Sequence, residues 1–304
     1  MKAIAQRLER PQQSSSIQTL IHRRVDLRPY TSLRIGGTAE YFIAPDTLNE
    51  IVDAIALARV MGIPMLVLGN GTNLLIPDSG FPGLVVHIGR NFGQMRLVGD
   101  ALQVQAGASL GTTMGFLRAH GFRDFDGLVG IPGSIGGALV MNAGIPEFSI
   151  SQRVKSVTVL KPDGTLVKLS REDCAFGYRT SRFQENDWMI ISAAFEIGQD
   201  EHLDTEELMR RRRERQPLRW TSPGCVFKNP EGTPGAGWLI EHAGLKGAAA
   251  GGAMISPLHA NFIVNRGRST AFDVLQLIDC ARKKVYKEFG VELQLEVAVV
   301  SDLR

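Results

Sequence analysis

A chain of 304 residues holds material for more than one domain, and 44% apolar with 21% charged residues is the balance of a globular protein with a sizeable core. Its net charge of +3 is too small to point to nucleic acid, though it suits an anionic ligand. Three cysteines, Cys174, Cys225 and Cys280, are odd in number and lack metal-type spacing, which argues against a disulfide framework and fits a reducing, cytoplasmic compartment.

Residues 1–20 read as a polar, loosely held N-terminal extension with a short helix at 2–10 and without the apolar core of a signal peptide. No later run approaches the roughly 18 apolar residues of a membrane helix. AEYFIAP (39–45) reads as a strand. Thr47 is then an N-cap with Glu50 at the capping-box position. Leu48, Ile51, Val52, Ile55 and Ala58 recur at helical spacing until Gly62. IPMLVLG (63–69) is a short buried strand that runs into GNGTN. Strand, helix, strand and glycine loop suit a nucleotide-handling α/β unit. The loop is not GxGxxG and no helix clearly opens behind it, so a Rossmann reading is disfavoured.

Strand signals crowd together in GLVVHIG, MRLVGD and ALQVQAGAS, and a helix, LGTTMGFLRAHG, follows. Next comes LVGIPGSIGGALVMNAG (128–144), a glycine-rich loop without a charge. Glycine lets bare backbone approach a ligand, and successive N–H groups can form an anion-binding nest. This run and LGNGTNL (68–74) are expected to hold one phosphate-bearing cofactor between them.

VKSVTVLKPDGTLVKLS is a hairpin turning at Asp163-Gly164, and WMIISAAFEI is another strand. The middle third is therefore α+β with much antiparallel sheet. The arginine run 210–213 lies on a helix from Thr205 to Arg215. It reads as a solvated face with Glu206 and Glu207 as partners of Arg210 and Arg211. No interleaved aromatics suggest a nucleic-acid patch. A long helix, Thr270 to Phe289, places Phe272, Leu275, Leu277, Ile278, Ala281, Val285 and Phe289 largely on one face and stops at Gly290. VELQLEVAVV closes the chain as a strand.

Histidines and carboxylates show no metal spacing, so no metal is expected; neither a GxSxG elbow nor a Walker A loop occurs. Arg179, in FGYRTSRF, either faces an anionic group or pairs on the surface. Cys225, after Pro223-Gly224, is a displayed thiol able to act as nucleophile or proton donor, or else a small buried hydrophobe. Lys228 and Asn229 either bind phosphate or complete a turn. His259 and Asn261 are ligand contacts or satisfied structural groups. Glu296 lies opposite in parity to Leu293, Leu295, Val297 and Val299, beside Gln294, as a solvent-facing carboxylate or a general acid.

In one order, LGNGTNLL, GIPGSIGGALVMNAG, YRTSRF, GCVFKNP, AGWLIEHAGLKG, HANFIVN and the terminal LEV strand resemble the UDP-N-acetylenolpyruvoylglucosamine reductase family, flavoenzymes of bacterial peptidoglycan precursor synthesis. The likeness runs from about Tyr30 to Val299. Without the insertions that carry an extra substrate tyrosine, the chain resembles the shorter branch. The resemblance implies an α+β fold: a two-subdomain FAD-binding module of the vanillyl-alcohol-oxidase type (21–83 and 84–200) and a C-terminal α+β substrate-binding domain (201–304).

It further implies non-covalent FAD, held by Gly69, Asn70, Gly71, Thr72 and Asn73 and by Gly130, Ile131, Pro132, Gly133, Ser134, Gly136, Gly137 and Asn142. NADPH is the implied co-substrate; a UDP-linked amino-sugar enolpyruvyl ether then takes its place, and hydride passes from flavin N5 to C3. Arg179 and Glu296 match the residues that stabilise the resulting enolate. Cys225 matches the proton donor to C2, and Tyr178, Lys228, Asn229, His259 and Asn261 match the substrate-binding region. The implied protein is a monomer or weak oligomer with no nucleic-acid or membrane partner.

Two departures stand out. Cys225 occupies a position where most members carry serine; a thiol, with a pKa of about 8.5, is far more acidic than an alcohol and open to oxidation. GNGTN replaces the more usual GGGSN, and Asn70 at a glycine position is tolerable because asparagine visits the left-handed region. The implied roles make chemical sense. An enolpyruvyl ether accepts hydride only if charge arriving on its carboxylate is stabilised in the transition state. Arginine can hold that carboxylate bidentately, and a glutamic acid kept protonated by burial can donate to it. A flavin oxidase or dehydrogenase acting on a small alcohol or sugar would share the glycine loops but leave Arg179, Lys228-Asn229 and Glu296 unexplained together.

Overall fold

The computed structural model describes residues 17, 19–198 and 203–300. The helix expected at 2–10 lies outside the described residues. β1 (His22–Asp26) pairs antiparallel with β2 (Thr38–Ile43). α1 (Leu48–Met61) starts at a capping box: Thr47 Oγ1 accepts from the Glu50 N–H at 3.3 Å, and the Glu50 carboxylate accepts from the Thr47 N–H at 3.4 Å. Gly62, at φ 62°, ends it. β3 (Met65–Leu68), β4 (Leu74–Leu75) and β5 (Phe81–His87) follow. The first sheet has the order β1-β2-β5-β3, with β5 parallel to both β2 and β3. Residues 69–73 therefore leave the carboxyl end of a parallel strand, where open α/β sheets receive ligands.

The middle of the chain gives β6 (Met95–Val98), β7 (Ala101–Gln105), α2 (Leu110–Ala119), α3 (Ile135–Val140), β8 (Gly144–Ile145), β9 (Phe148–Ser149), β10 (Val154–Leu160), β11 (Leu166–Ser170) and β12 (Met189–Glu196). Its sheet runs β11-β10-β12-β7-β6, antiparallel throughout. Phe125 meets Phe195 edge-on, centroids 5.0 Å apart, in the core on which this sheet closes. α3 corrects the expectation of a loop through 128–144. Ser134 Oγ accepts from the Gly137 N–H at 3.3 Å as N-cap, and Ile135, Ala138 and Leu139 form a buried helical stripe that the glycines conceal.

The last third contains α4 (Thr205–Arg215), α5 (Ala236–His242), β13 (Ala249–Ala250), β14 (Ala253–Ile255), β15 (Ile263–Asn265), α6 (Ala271–Phe289) and β16 (Ala298–Val299). α6 buries Ala271, Val274, Leu277, Ile278, Ala281 and Val285. Phe272, Leu275 and Phe289, expected on the inner face, are exposed at 63%, 38% and 36%. The stripe is centred on Val274, which fits the helical period better than the larger side chains beside it.

The closing strand is also shorter than expected. Only Ala298 and Val299 join a ladder, parallel to Leu74 and Leu75 of β4. Upstream, the N–H groups of Glu296 and Val297 converge on the Val226 carbonyl at 2.8 and 3.3 Å. Two amides on one acceptor break the regular ladder, like a bulge. Glu296 is thereby presented to the interior of the molecule. β16 carries the chain end back to β4, with which it forms a separate two-stranded sheet, and Leu33, Ile35 and Leu75 pack in the core beneath α6.

Candidate active site

The two glycine segments abut. A Cβ on Gly69 would lie 2.5 Å from Ser134 Oγ, and one on Gly133 would lie 3.4 Å from Thr72 Oγ1. Gly71, at φ 57°, presses against the Tyr30 carbonyl, where a side chain has no room. The left-handed residue of GNGTN is Gly71; Asn70 is not in that region, so its tolerance there is not what admits it. Gly136 also differs from expectation. Its N–H donates to the Ala106 carbonyl at 2.9 Å and its Cβ position lies 3.1 Å from Ala106 Cβ, so it packs into the core behind the loop.

α4 roofs the start of the second segment. At Gly130 a Cβ would meet Met209 Sδ at 2.6 Å and Arg212 Nε at 3.0 Å. The arginine run is thus not uniformly solvated. Arg210 and Arg211 pair with Glu207 at 2.7 Å, and Arg210 also with Glu214 at 2.7 Å. Arg212 turns inward, where burial pulls its pKa down. Its Nε, and Oε1 of Gln216 one turn on, are buried atoms with no hydrogen-bond partner among the described residues. The sequence signal for Arg212 is its i,i+3/i+4 spacing from Leu208 and Met209, masked by the neighbouring arginines.

Three chain-distant residues converge next to these loops. Arg179 stands at φ 53°, a strained conformation for a non-glycine residue. Gln184 Nε2 donates to its carbonyl at 3.1 Å, and Asn142 Nδ2 donates to the preceding Gly177 carbonyl at 2.8 Å. Its side chain donates through Nε to Glu296 Oε1 at 2.9 Å and through Nη2 to the Gly144 carbonyl at 2.8 Å. The side chains of the pair are only 23% and 16% exposed. Burial raises the Glu296 pKa against the opposing pull of Arg179 and then Lys228.

Cys225 is held by a bridge to Phe262, on the segment whose Val226 carbonyl receives Glu296. Burial pushes its thiol up to about 12; the Glu296 charge adds to this, while Arg179 and Arg212 oppose it. The thiol therefore stays protonated. That suits a proton donor and disfavours a nucleophile, and it narrows the margin of acidity that an ordinary thiol has over an alcohol. Cys174 is buried, with its thiol pushed up to about 11, first by burial.

Several residues expected to touch ligand hold backbone instead. Asn261 is buried and braces Phe227 on both sides, Oδ1 accepting from its N–H at 2.9 Å and Nδ2 donating to its carbonyl at 2.8 Å. Asn142 Oδ1 accepts from the Ser151 N–H at 3.3 Å. Asn73 Nδ2 donates to the Glu296 carbonyl at 2.9 Å. His259 Nδ1 accepts from the Asn261 N–H at 3.2 Å, its ring lies against Gly237, and burial first, then Lys246, lowers its pKa. Asn229 Oδ1 accepts from the Ala236 N–H at the start of α5 at 3.0 Å, and its own N–H donates to Tyr178 Oη at 3.4 Å. A cleft of about 480 Å³ lies among Asn142, Gln152, Tyr178, Arg179 and Asn229. Lys228 donates its N–H to Gln294 at 2.9 Å.

FAD fits this arrangement. Glycine backbone from both segments comes together with no side chain between, and a buried donor on α4, Arg212 Nε, and a buried acceptor just past its end, Gln216 Oε1, have no partner among the described residues. Among the described residues no cluster of three or more histidines, cysteines or carboxylates could hold a metal, and no helix is long and apolar enough to cross a membrane. Residues 39–170 match the model of an FAD binding domain. The protein is an FAD-dependent oxidoreductase.

Residues 216–300 match the model of the UDP-N-acetylenolpyruvoylglucosamine reductase C-terminal domain. Curated reductases of that name are similar across nearly the whole chain. The one from Heliobacterium modesticaldum is 41% identical over 277 residues, covering 90% of this chain and 88% of that protein. The one from a Synechococcus species is 40% identical over 288 residues, covering 92% and 91%. The crystal structure of the Thermus caldophilus enzyme superposes with a TM-score of 0.75 at 36% identity, covering 91% of this chain and 98% of that one. The chain belongs to the UDP-N-acetylenolpyruvoylglucosamine reductase family.

Proposed function

We propose that the protein reduces the enolpyruvyl group of UDP-N-acetylglucosamine enolpyruvate to give UDP-N-acetylmuramate, in the cytoplasm, with NADPH as electron source. The observation that carries this reading is the half-buried Arg179–Glu296 pair beside a thiol that keeps its proton. Bound FAD would supply the hydride. The loops 69–73 and 130–137 would hold it, and Arg212 Nε and Gln216 Oε1 suit the acceptor and donor edge of a flavin ring.

Each side chain then has a distinct task. Arg179 offers a planar fork to the substrate carboxylate as negative charge gathers there. Glu296, its pKa raised by burial, donates a hydrogen bond to the same group when protonated. Cys225 gives its proton to C2: the S–H bond breaks, a C–H bond forms, and the thiolate recovers a proton from water. The cleft bounded by Tyr178, Arg179 and Asn229, with Lys228 near its rim, would take the nucleotide-linked end of the substrate. The domain division 21–83, 84–200 and 201–304 is the corresponding proposal for the chain.

The test is turnover by the purified, FAD-loaded protein. NADPH should be consumed steadily only when the enolpyruvyl nucleotide is present, in equal amount to the saturated lactyl ether formed. Turnover of simple alcohols or sugars, with the nucleotide inert, would contradict the proposal in favour of an oxidase or dehydrogenase.

A further inference from the structure

Asn73 lies in the cofactor loop, yet its side chain points across to the strand that carries the acid. Nδ2 donates to the Glu296 carbonyl at 2.9 Å, and its own carbonyl accepts from the Ala298 N–H at 3.0 Å. Immediately afterwards the two segments become a parallel ladder, Leu74 beside Ala298 and Leu75 beside Val299. Residue 73 thus grips position 296 from one side and position 298 from the other. On the far side Glu296 is tied by its N–H to Val226, at 2.8 Å, and by its carboxylate to Arg179. The 291–297 segment is tied by backbone to residues 226–228, through the Leu295–Phe227 bridge and the Lys228 N–H to the Gln294 carbonyl at 2.9 Å, and the Asn73 amide is the tie that faces it from the glycine loop.

We propose that Asn73 is a positioning residue for Glu296, fixing the acid in register with the cofactor loop rather than binding the cofactor through its side chain. The inference rests on the function proposed above, because it assigns Glu296 to the substrate half of the reaction. The loop's backbone N–H groups remain available for phosphate whatever the side chain at 73 does. Without the amide, the Glu296 carbonyl loses its donor and the acid loses its side-chain tie to the glycine loop, keeping those to Val226 and Arg179; a displacement of about 1 Å suffices to cost on the order of 100-fold in rate.

The test uses Asn73→Ala and the isosteric Asn73→Asp, each saturated with FAD, in rapid-mixing experiments over a range of pH. Flavin reduction by NADPH should be affected less than the substrate half-reaction. Flavin reoxidation by the enolpyruvyl nucleotide should slow on the order of 10- to 100-fold, and its pH dependence should move, because Glu296 no longer sits in the same field. Asn73→Asp should be at least as impaired as Asn73→Ala, since it sets an oxygen against the Glu296 carbonyl. Hydrogen exchange supplies a readout apart from turnover: adding FAD should protect the amides of 296–298 in the wild type and less so in either variant. Equal slowing of both half-reactions, loss of FAD binding in both variants, or an unchanged pH profile would overturn the proposal. Failure of the wild-type flavin to be reoxidised would instead overturn the proposed function itself.

Discussion

At the residue scale the chemistry turns on which groups carry protons. Burial keeps the Cys225 thiol protonated, with a pKa of about 12. Cys225→Ala should therefore slow reoxidation of the flavin by substrate at least about 100-fold, leave its reduction by NADPH intact, and show both effects in rapid mixing. Cys225→Ser, which keeps a proton donor at the γ position, should retain substantial activity. Glu296 is the group that titrates within reach. Its pKa is raised, so it stays protonated to higher pH than an ordinary glutamate and its donor role fades as pH climbs through that value. The substrate half-reaction should lose rate on the alkaline side, and Glu296→Gln, permanently neutral, should lose that limb in a pH–rate profile. An unchanged limb in Glu296→Gln would remove Glu296 from the pH dependence. Motif order made Arg179, Cys225 and Glu296 legible in the sequence. The inward turn of Arg212 and the backbone-holding amides of Asn73, Asn142 and Asn261 were not, because a residue's type does not say which of its possible partners the fold supplies.

At the element scale, local chemistry was readable where it acts locally. Thr47 with Glu50 forms the capping box that opens α1, as its spacing indicates, and the structure adds a second at α6 from Thr270 with Asp273. α3 was concealed because glycine is a poor helix former, and its helix depends on the Ser134 cap and on buried Ile135 and Leu139. Two glycines there should behave differently. Gly69→Val would collide with Ser134 Oγ, the cap of α3, and should weaken FAD binding by disturbing the contact between the two glycine segments, read as flavin retained on purification. Gly136→Val would collide with Ala106 and should destabilise the fold by about 1–3 kcal/mol, read as a lower Tm of the apoprotein. A second cap for α6 comes from far along the chain: the Asp78 carboxylate accepts from the N–H groups of Ala271 and Phe272 at 2.8 and 3.1 Å. Asp78→Ala should cost about 1 kcal/mol in denaturant melts, with flavin content unchanged.

At the scale of the whole molecule, the site is made by segments far apart in sequence. The glycine loop at 69–73, the strained turn at Arg179, the thiol segment at 225 and the acid at 296 come together through the Arg179–Glu296 and Glu296–Val226 contacts and through β16, which returns the chain end to β4. Long-range pairing of two-residue strands leaves almost no periodic signal, which is why the closing strand was read as regular and long. The class of fold was legible from the crowded antiparallel strands of the middle third and from the family resemblance that the order of the motifs carries, whereas its closure was not. That closure gives the account its central claim: one cradle for FAD, opening on one cluster that acts on an enolpyruvyl carboxylate. An anaerobic absorption spectrum tests it most directly. The account predicts flavin absorbance that bleaches with one equivalent of NADPH and returns when the enolpyruvyl nucleotide is added. A protein that takes up no FAD, or a reduced flavin that the nucleotide leaves bleached, would contradict it.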